Sequence, residues 1–115
     1  MRCEPGQRLA SGLRAEDAAA RFLERRGLRV VLRNHRCRGG ELDLVARDAG
    51  DLLVIAEVRL RSREDFGGAA ASVDHAKRRR IVHAARHLLA CRPEFARCRV
   101  RFDVIAVSPL PTAYG

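Results

Sequence analysis

Apolar positions recur three and four residues apart near the start of this chain, alternate through its middle, and return to helical spacing before a last alternating run. The first pattern predicts a helix opening at Ser11 or Gly12, with Ala18, Ala19, Phe22 and Leu23 as its buried stripe and Gly27 as its stop. Leu28 to Arg33 (LRVVLR) reads as a strand, and RCRGG after it as a turn. Glu41 to Arg47 and Leu52 to Arg61 read as two further strands joined by DAGD at 48–51, which predicts an antiparallel hairpin. SREDFGGAAAS is a Gly- and Ala-rich loop. A second helix then turns Ile81, Ala84, Ala85, Leu88 and Leu89 inward and ends before Pro93, and Val100 to Val107 forms the last strand. Residues 1–11 and 108–115 carry no such pattern and are expected to be flexible ends of a single domain spanning 12–107.

The faces of the strands locate the candidate chemistry. Leu52, Val54, Ala56, Val58 and Leu60 form one wholly apolar face of the third strand, whereas the other begins with Leu53 and Ile55 and then presents Glu57, Arg59 and Arg61. A carboxylate on a strand otherwise suited to burial needs a partner. On the second strand Leu42, Leu44 and Ala46 share one face, while Glu41 and Asp43 point to the other. Residues opposite each other across an antiparallel pair project to the same side, so an odd-length loop sets Asp43 against Glu57 with Cβ atoms about 5 Å apart. Two carboxylates that close repel unless a proton or a cation lies between them. Mg²⁺ or Mn²⁺ meets that need, because a hard ion is typically held by one or two carboxylates with water and substrate phosphate completing its shell. Such an ion activates water and neutralises charge on a phosphodiester.

The helices add to the constellation. Glu16, seven residues before Leu23, lies at the buried edge of the first helix, and Lys77, four residues before Ile81, lies on the stripe of the second. The run Lys77-Arg78-Arg79-Arg80 surrounds the acids with positive charge. An ordinary half-buried hairpin, with Asp43 bridged to an arginine and Glu57 to Arg59 or Arg101, fits the same spacing equally well. A basic run of this kind is also more often a solvated helix face than a specific contact.

Composition narrows the classes. The 115 residues suffice for one domain, and no stretch approaches the roughly 18 consecutive apolar residues of a membrane span. The formal net charge of +9 comes from 22 arginines and the single lysine, Lys77, which points to an anionic partner. Alanine, glycine and leucine are over-represented too, so the arginine excess alone is weak evidence of function. The N-terminus lacks the apolar core of a signal peptide, so a cytoplasmic protein with reduced thiols is expected. His83, His87 and Cys91 recur every four residues, with Cys98 as the one nearby fourth ligand, but the spacing matches no zinc signature and reads as a polar helix face. Aromatic residues are few: Phe22 and Phe102 are wanted in the core and Tyr114 lies in the tail, which disfavours binding by stacking on single strands.

The strings GGELDLVARD, LLVIAEVRLRS, FGGAAASVDHAKRRR and RFDVIAV, preceded by GLRAEDAAARFLERRGLRVVLRN, resemble in order and spacing the YraN-like family of small uncharacterised bacterial proteins, from about Gly12 to Val107. That resemblance implies an α/β, restriction endonuclease-like (PD-(D/E)XK) fold of order αβββαβ, with a central mixed sheet flanked by helices, related to archaeal Holliday junction resolvases. It implies that Asp43 and Glu57 hold a metal, that Glu41 belongs to the same acidic element, and that Glu16 and Lys77 match an acid of the first helix and a lysine of the second. The usual third-strand motif is EVK, whereas this chain has Glu57-Val58-Arg59. Arginine keeps the charge but does not act as a base, which makes Arg59 a candidate phosphate clamp. Ala15 and Ala69 stand where a glycine and a proline are usual.

The expected protein is therefore nuclease-like and uses Mg²⁺ or Mn²⁺. Its catalytic candidates are Asp43, Glu57, Arg59 and Glu16, with the metal on Asp43 and Glu57. Its nucleic-acid contacts are Arg59, Arg61, Lys77, Arg78, Arg79 and Arg80. The expected partner is nucleic acid, DNA in particular, with no membrane, and a homodimer is compatible with the sequence. Two alternatives stand beside it: an inactive nucleic-acid-binding module of the same fold, and a protein-interaction scaffold with internally bridged acids.

Overall fold

In the computed structural model, which describes residues 10–60 and 75–108, a four-stranded mixed sheet carries one helix on each face. The elements are α1 (Ala10–Arg25), β1 (Arg29–Cys37), β2 (Gly40–Arg47), β3 (Leu52–Leu60), α2 (His75–Cys91), a single 3₁₀ turn (Pro93–Phe95) and β4 (Arg99–Val107). Spatial order follows chain order. β1, β2 and β3 are antiparallel neighbours, and β4 lies parallel to β3, a pairing that requires a crossover, which α2 supplies. This αβββαβ order is consistent with a restriction endonuclease-like core. No helix among the described residues is long and apolar enough to cross a membrane.

Two apolar layers hold the sheet. Ala19, Ala20 and Leu23 of α1 pack on Leu44, Ala46, Val54, Ala56 and Ile105, while Ile81, Ala84, Ala85 and Leu88 of α2 pack on Val45, Leu53, Ile55 and Phe95. Each fully buried leucine contributes about 1.5–3 kcal/mol relative to exposure. Gly27, at φ 84°, ends α1 in the left-handed conformation and lets the Leu28 N–H reach the Leu23 carbonyl at 3.0 Å.

Four sequence expectations need correction. β1 runs on to Cys37, so the turn shrinks to Arg38 and Gly39, the latter at φ 89°. Leu42 packs in the α2 layer although Leu44 and Ala46 pack in the α1 layer. This change of face coincides with Asn34, at φ 53°, which lies across from Asp43 between the pairs Arg33↔Leu44 and His35↔Leu42. Asparagine tolerates that conformation, and the register stays continuous across it, the one shift in this strand pair falling between Val30 and Leu32. The α1 stripe is rotated: Ala15, Glu16, Ala19, Ala20 and Leu23 are buried, while Phe22 is 37 % exposed beneath the Arg26 guanidinium. Small alanines let α1 sit close to the sheet, leaving the larger ring outside. Phe102 is not in the core either, because α2 lies over β1 and β2 and, among the described residues, no helix covers the β4 side of that face. Arg61, the loop at 62–72 and most of both terminal segments lie outside the described residues.

The seat of α2 is the β1–β2 turn. His83 donates from Nε2 to the Arg38 carbonyl at 2.9 Å, and a Cβ on Gly40 would overlap the Arg80 carbonyl and crowd Ala84. Gly40→Ala is expected to lower stability by about 1–3 kcal/mol, as overpacking does. Urea unfolding should show a lower midpoint with an unchanged slope, and an unchanged midpoint would mean that α2 is not held against this turn.

Candidate functional site

The β2–β3 ladder carries the pair predicted by parity. Its last bonded rung is Leu44↔Ala56, and the next would set Asp43 opposite Glu57. There the Val58 N–H donates to Asp43 Oδ2 at 2.8 Å, so a carboxylate takes over from the main chain where the two strands end their pairing. Glu57 is 7 % exposed. Burial and the Glu57 charge, with smaller contributions from Glu16 and Glu41, push the Asp43 carboxyl up from 3.8 to about 7, against the opposing effect of the Val58 N–H. No ion pair among the described residues involves Asp43.

Glu57 has two cations, the nearer being Lys77 and the farther one of the two arginines considered for it, Arg59. Lys77 Nζ reaches across from α2 to Glu57 Oε2 at 2.7 Å, Arg59 Nε stands at 3.8 Å, and Arg101 instead grips Asp103 at 3.0 Å. The lysine arrives there because it begins the stripe that Ile81 and Ala85 continue into the core. Arg59 Nε is buried and has no hydrogen-bond acceptor among the described residues. A buried donor of that kind marks a place for an anionic oxygen.

Two cavities meet at the carboxylates. A polar one of about 560 Å³ is lined by Asp43, Glu57, Glu41, Arg36, Lys77 and Arg80 among others. An apolar one of about 310 Å³ shares Asp43, Glu57 and Ile81 with it and is bounded by Phe102, Val104 and Arg78. Arg79 lines neither. Glu16 is buried on α1 and accepts from Asn34 Nδ2 at 3.1 Å; it influences Asp43 electrostatically but lines neither cavity. Asn34 and Phe102 are the residues that sequence reasoning missed. The asparagine could have been suspected as a turn-type residue inside an extended run, whereas nothing in the pattern of β4 marks Phe102.

The donor set suits a hard cation. Asp43 and Glu57 offer oxygen atoms in a setting where burial and the neighbouring Glu57 charge already make the Asp43 carboxyl resist ionising, and Mg²⁺ needs no more than one or two such ligands. No group of three or more His, Cys, Asp or Glu among the described residues is placed to hold a metal. That removes the zinc arrangement: His83 is engaged with Arg38, and His87 and Cys91 contact only each other within that set, at 3.6 Å.

Fold and site together define an α/β protein of αβββαβ order, consistent with a restriction endonuclease-like core, that carries a carboxylate pair ringed by cations. The chain belongs to the uncharacterised protein family UPF0102, which it matches over residues 15–107. It is similar to UPF0102 proteins of Dechloromonas aromatica (strain RCB; 59 % identity over 98 residues, covering 85 % of this chain and 78 % of the relative) and Cupriavidus taiwanensis (54 % over 102 residues, 89 % and 76 %). A third, from Xanthomonas campestris pv. campestris (strain B100), is 50 % identical over 107 residues, covering 93 % of this chain and 87 % of the relative.

Proposed function

We propose that this protein is a divalent-metal-dependent nuclease that binds nucleic acid, DNA in the first instance, and hydrolyses phosphodiester bonds beside Asp43 and Glu57. The observation that carries this reading is the opposed carboxylate pair, one member raised to about 7 and the other held by the chain's single lysine. Asp43 and Glu57 are the residues to hold Mg²⁺ or Mn²⁺. When bound, such an ion supplies charge neutralisation at the phosphate and a lower pKa for the attacking water. Arg59 offers its buried Nε to a phosphate oxygen, and Arg80 and Arg36 line the approach. Lys77 presents an ammonium, a group able to give up a proton as the Arg59 guanidinium is not, already placed against Glu57. Lysine from the helix thereby makes good the lysine lacking on the strand. Glu16 acts on Asp43 through its charge, and Arg78 stands at the mouth of the apolar cavity.

Plasmid and branched DNA incubated with the protein and Mn²⁺ should be cut, with activity abolished by chelation and by Asp43→Ala or Glu57→Ala. An inert wild type, or variants that cut equally well, would overturn the assignment. A second reading, an inactive binding module, is favoured by Arg59 in the strand motif. It is the one to adopt if cleavage is absent while DNA affinity still falls with salt at a log–log slope of about −4 to −5, as four to six phosphate contacts require.

A further inference from the structure

The apolar cavity has no part in holding a cation or a phosphate, yet it opens onto the same two carboxylates. Its floor is Ile55 and Ile81, and Phe102 and Val104 form the wall on the edge strand β4. In the parallel β3–β4 register Phe102 lies beside Ile55 and Val104 beside Glu57, so the ring stands one strand over from β3 and one rung pair short of its carboxylate. Phe102 is 48 % exposed and Val104 38 % exposed. Apolar groups left open in this way beside a cluster of charged side chains mark a surface that something covers.

What covers it follows from the surroundings. The space, about 310 Å³, is at the small end of the range that takes a single compact ligand and is too small for a helix of a protein partner. Its rim carries Arg78, and it is continuous with the proposed phosphodiester site, so the occupant must be flat, apolar on its faces and covalently attached to a phosphate. A nucleobase has all three properties.

We propose that Phe102 is a stacking platform for an unpaired nucleobase next to the phosphate at Asp43 and Glu57, so that the preferred substrate carries unstacked nucleotides, as at a single-stranded arm or a branch. The inference rests on the reading of this site as a phosphodiester site. A base within a duplex has both faces covered and reaches such a platform only after leaving the stack. Stacking on one aromatic ring is tolerant of sequence, so the device selects nucleic-acid structure rather than base order.

The chain has no tryptophan, so Phe102→Trp introduces a lone indole at the platform. In Ca²⁺, which permits binding to be followed by anisotropy of a labelled DNA, indole emission should be quenched by duplex bearing a single-stranded arm and left unchanged by blunt duplex. Phe102→Ala should lose about tenfold in affinity for the armed DNA, the effect of losing one stacked base, with blunt-duplex affinity within about twofold. Armed DNA that binds without quenching the indole, or a Phe102→Ala protein with undiminished preference for the arm, would overturn the platform and leave the nuclease reading standing. Failure of both DNAs to bind would overturn the two together.

Discussion

Lys77→Met is expected to lower the rate of DNA cleavage by about 10²- to 10⁴-fold, the usual contribution of a positioned proton-transfer group. The lysine is well placed for proton transfer, because its ammonium touches Glu57 at 2.7 Å and its stem lies on the stripe that anchors α2. Two further substitutions separate charge from proton transfer. Lys77→Arg keeps the charge but not a group that can release a proton and should lose most of the same activity, whereas Arg59→Lys restores the usual strand motif and should keep or raise it. Single-turnover rates at saturating Mn²⁺ across pH, with circular dichroism to verify the fold, provide the measurement. A Lys77→Arg protein as fast as wild type would reduce Lys77 to a counter-ion for Glu57.

This expectation could be framed only partly from sequence. Parity on β2 and β3 was enough to put Asp43 and Glu57 on one face, where both line the same two cavities one rung beyond the last bonded pair, Leu44↔Ala56. Helical spacing likewise put Lys77 on the inward stripe of α2. Arg59 as a partner of Glu57 was legible, but the closer contact from Lys77 was not, since it depends on how α2 is seated, and that is decided at Gly40 and by the His83 bond to the turn. The left-handed Asn34 was equally hidden, as was the packing of Leu42 in the α2 layer beside it, because hydrophobic pattern does not record a local backbone choice. Phe102 failed for a third reason. Residue type alone favoured burial, but burial also requires a covering element, and on that face α2 lies over β1 and β2 rather than over β4. Exposure of that ring reopens the stacking that an aromatic-poor composition had disfavoured.

Without divalent cation, wild-type stability is expected to fall by about 2–4 kcal/mol relative to Asp43→Asn between pH 4 and pH 8, the scale set by a shift of about three pKa units at 1.36 kcal/mol each. The direction follows from the raised carboxyl. Between its unfolded value of 3.8 and its folded value of about 7 the native state holds a proton that the unfolded chain has released, so the stability this group contributes is full below about 3.8 and is lost as pH rises through about 7. Asparagine stays neutral throughout, and its side-chain carbonyl can still accept from the Val58 N–H. Mg²⁺ or Mn²⁺ should reverse the loss at pH 8, by about 2.7 kcal/mol at a hundred times the dissociation constant, while adding little at pH 5, where the proton competes, and little to Asp43→Asn at either pH. Urea unfolding of both proteins at the two pH values, with and without metal, distinguishes the possibilities. Equal stabilisation of wild type and variant at pH 8 would mean that the cation binds elsewhere. No stabilisation of either would mean that the repulsion between Asp43 and Glu57 is relieved by the proton and by Lys77 alone.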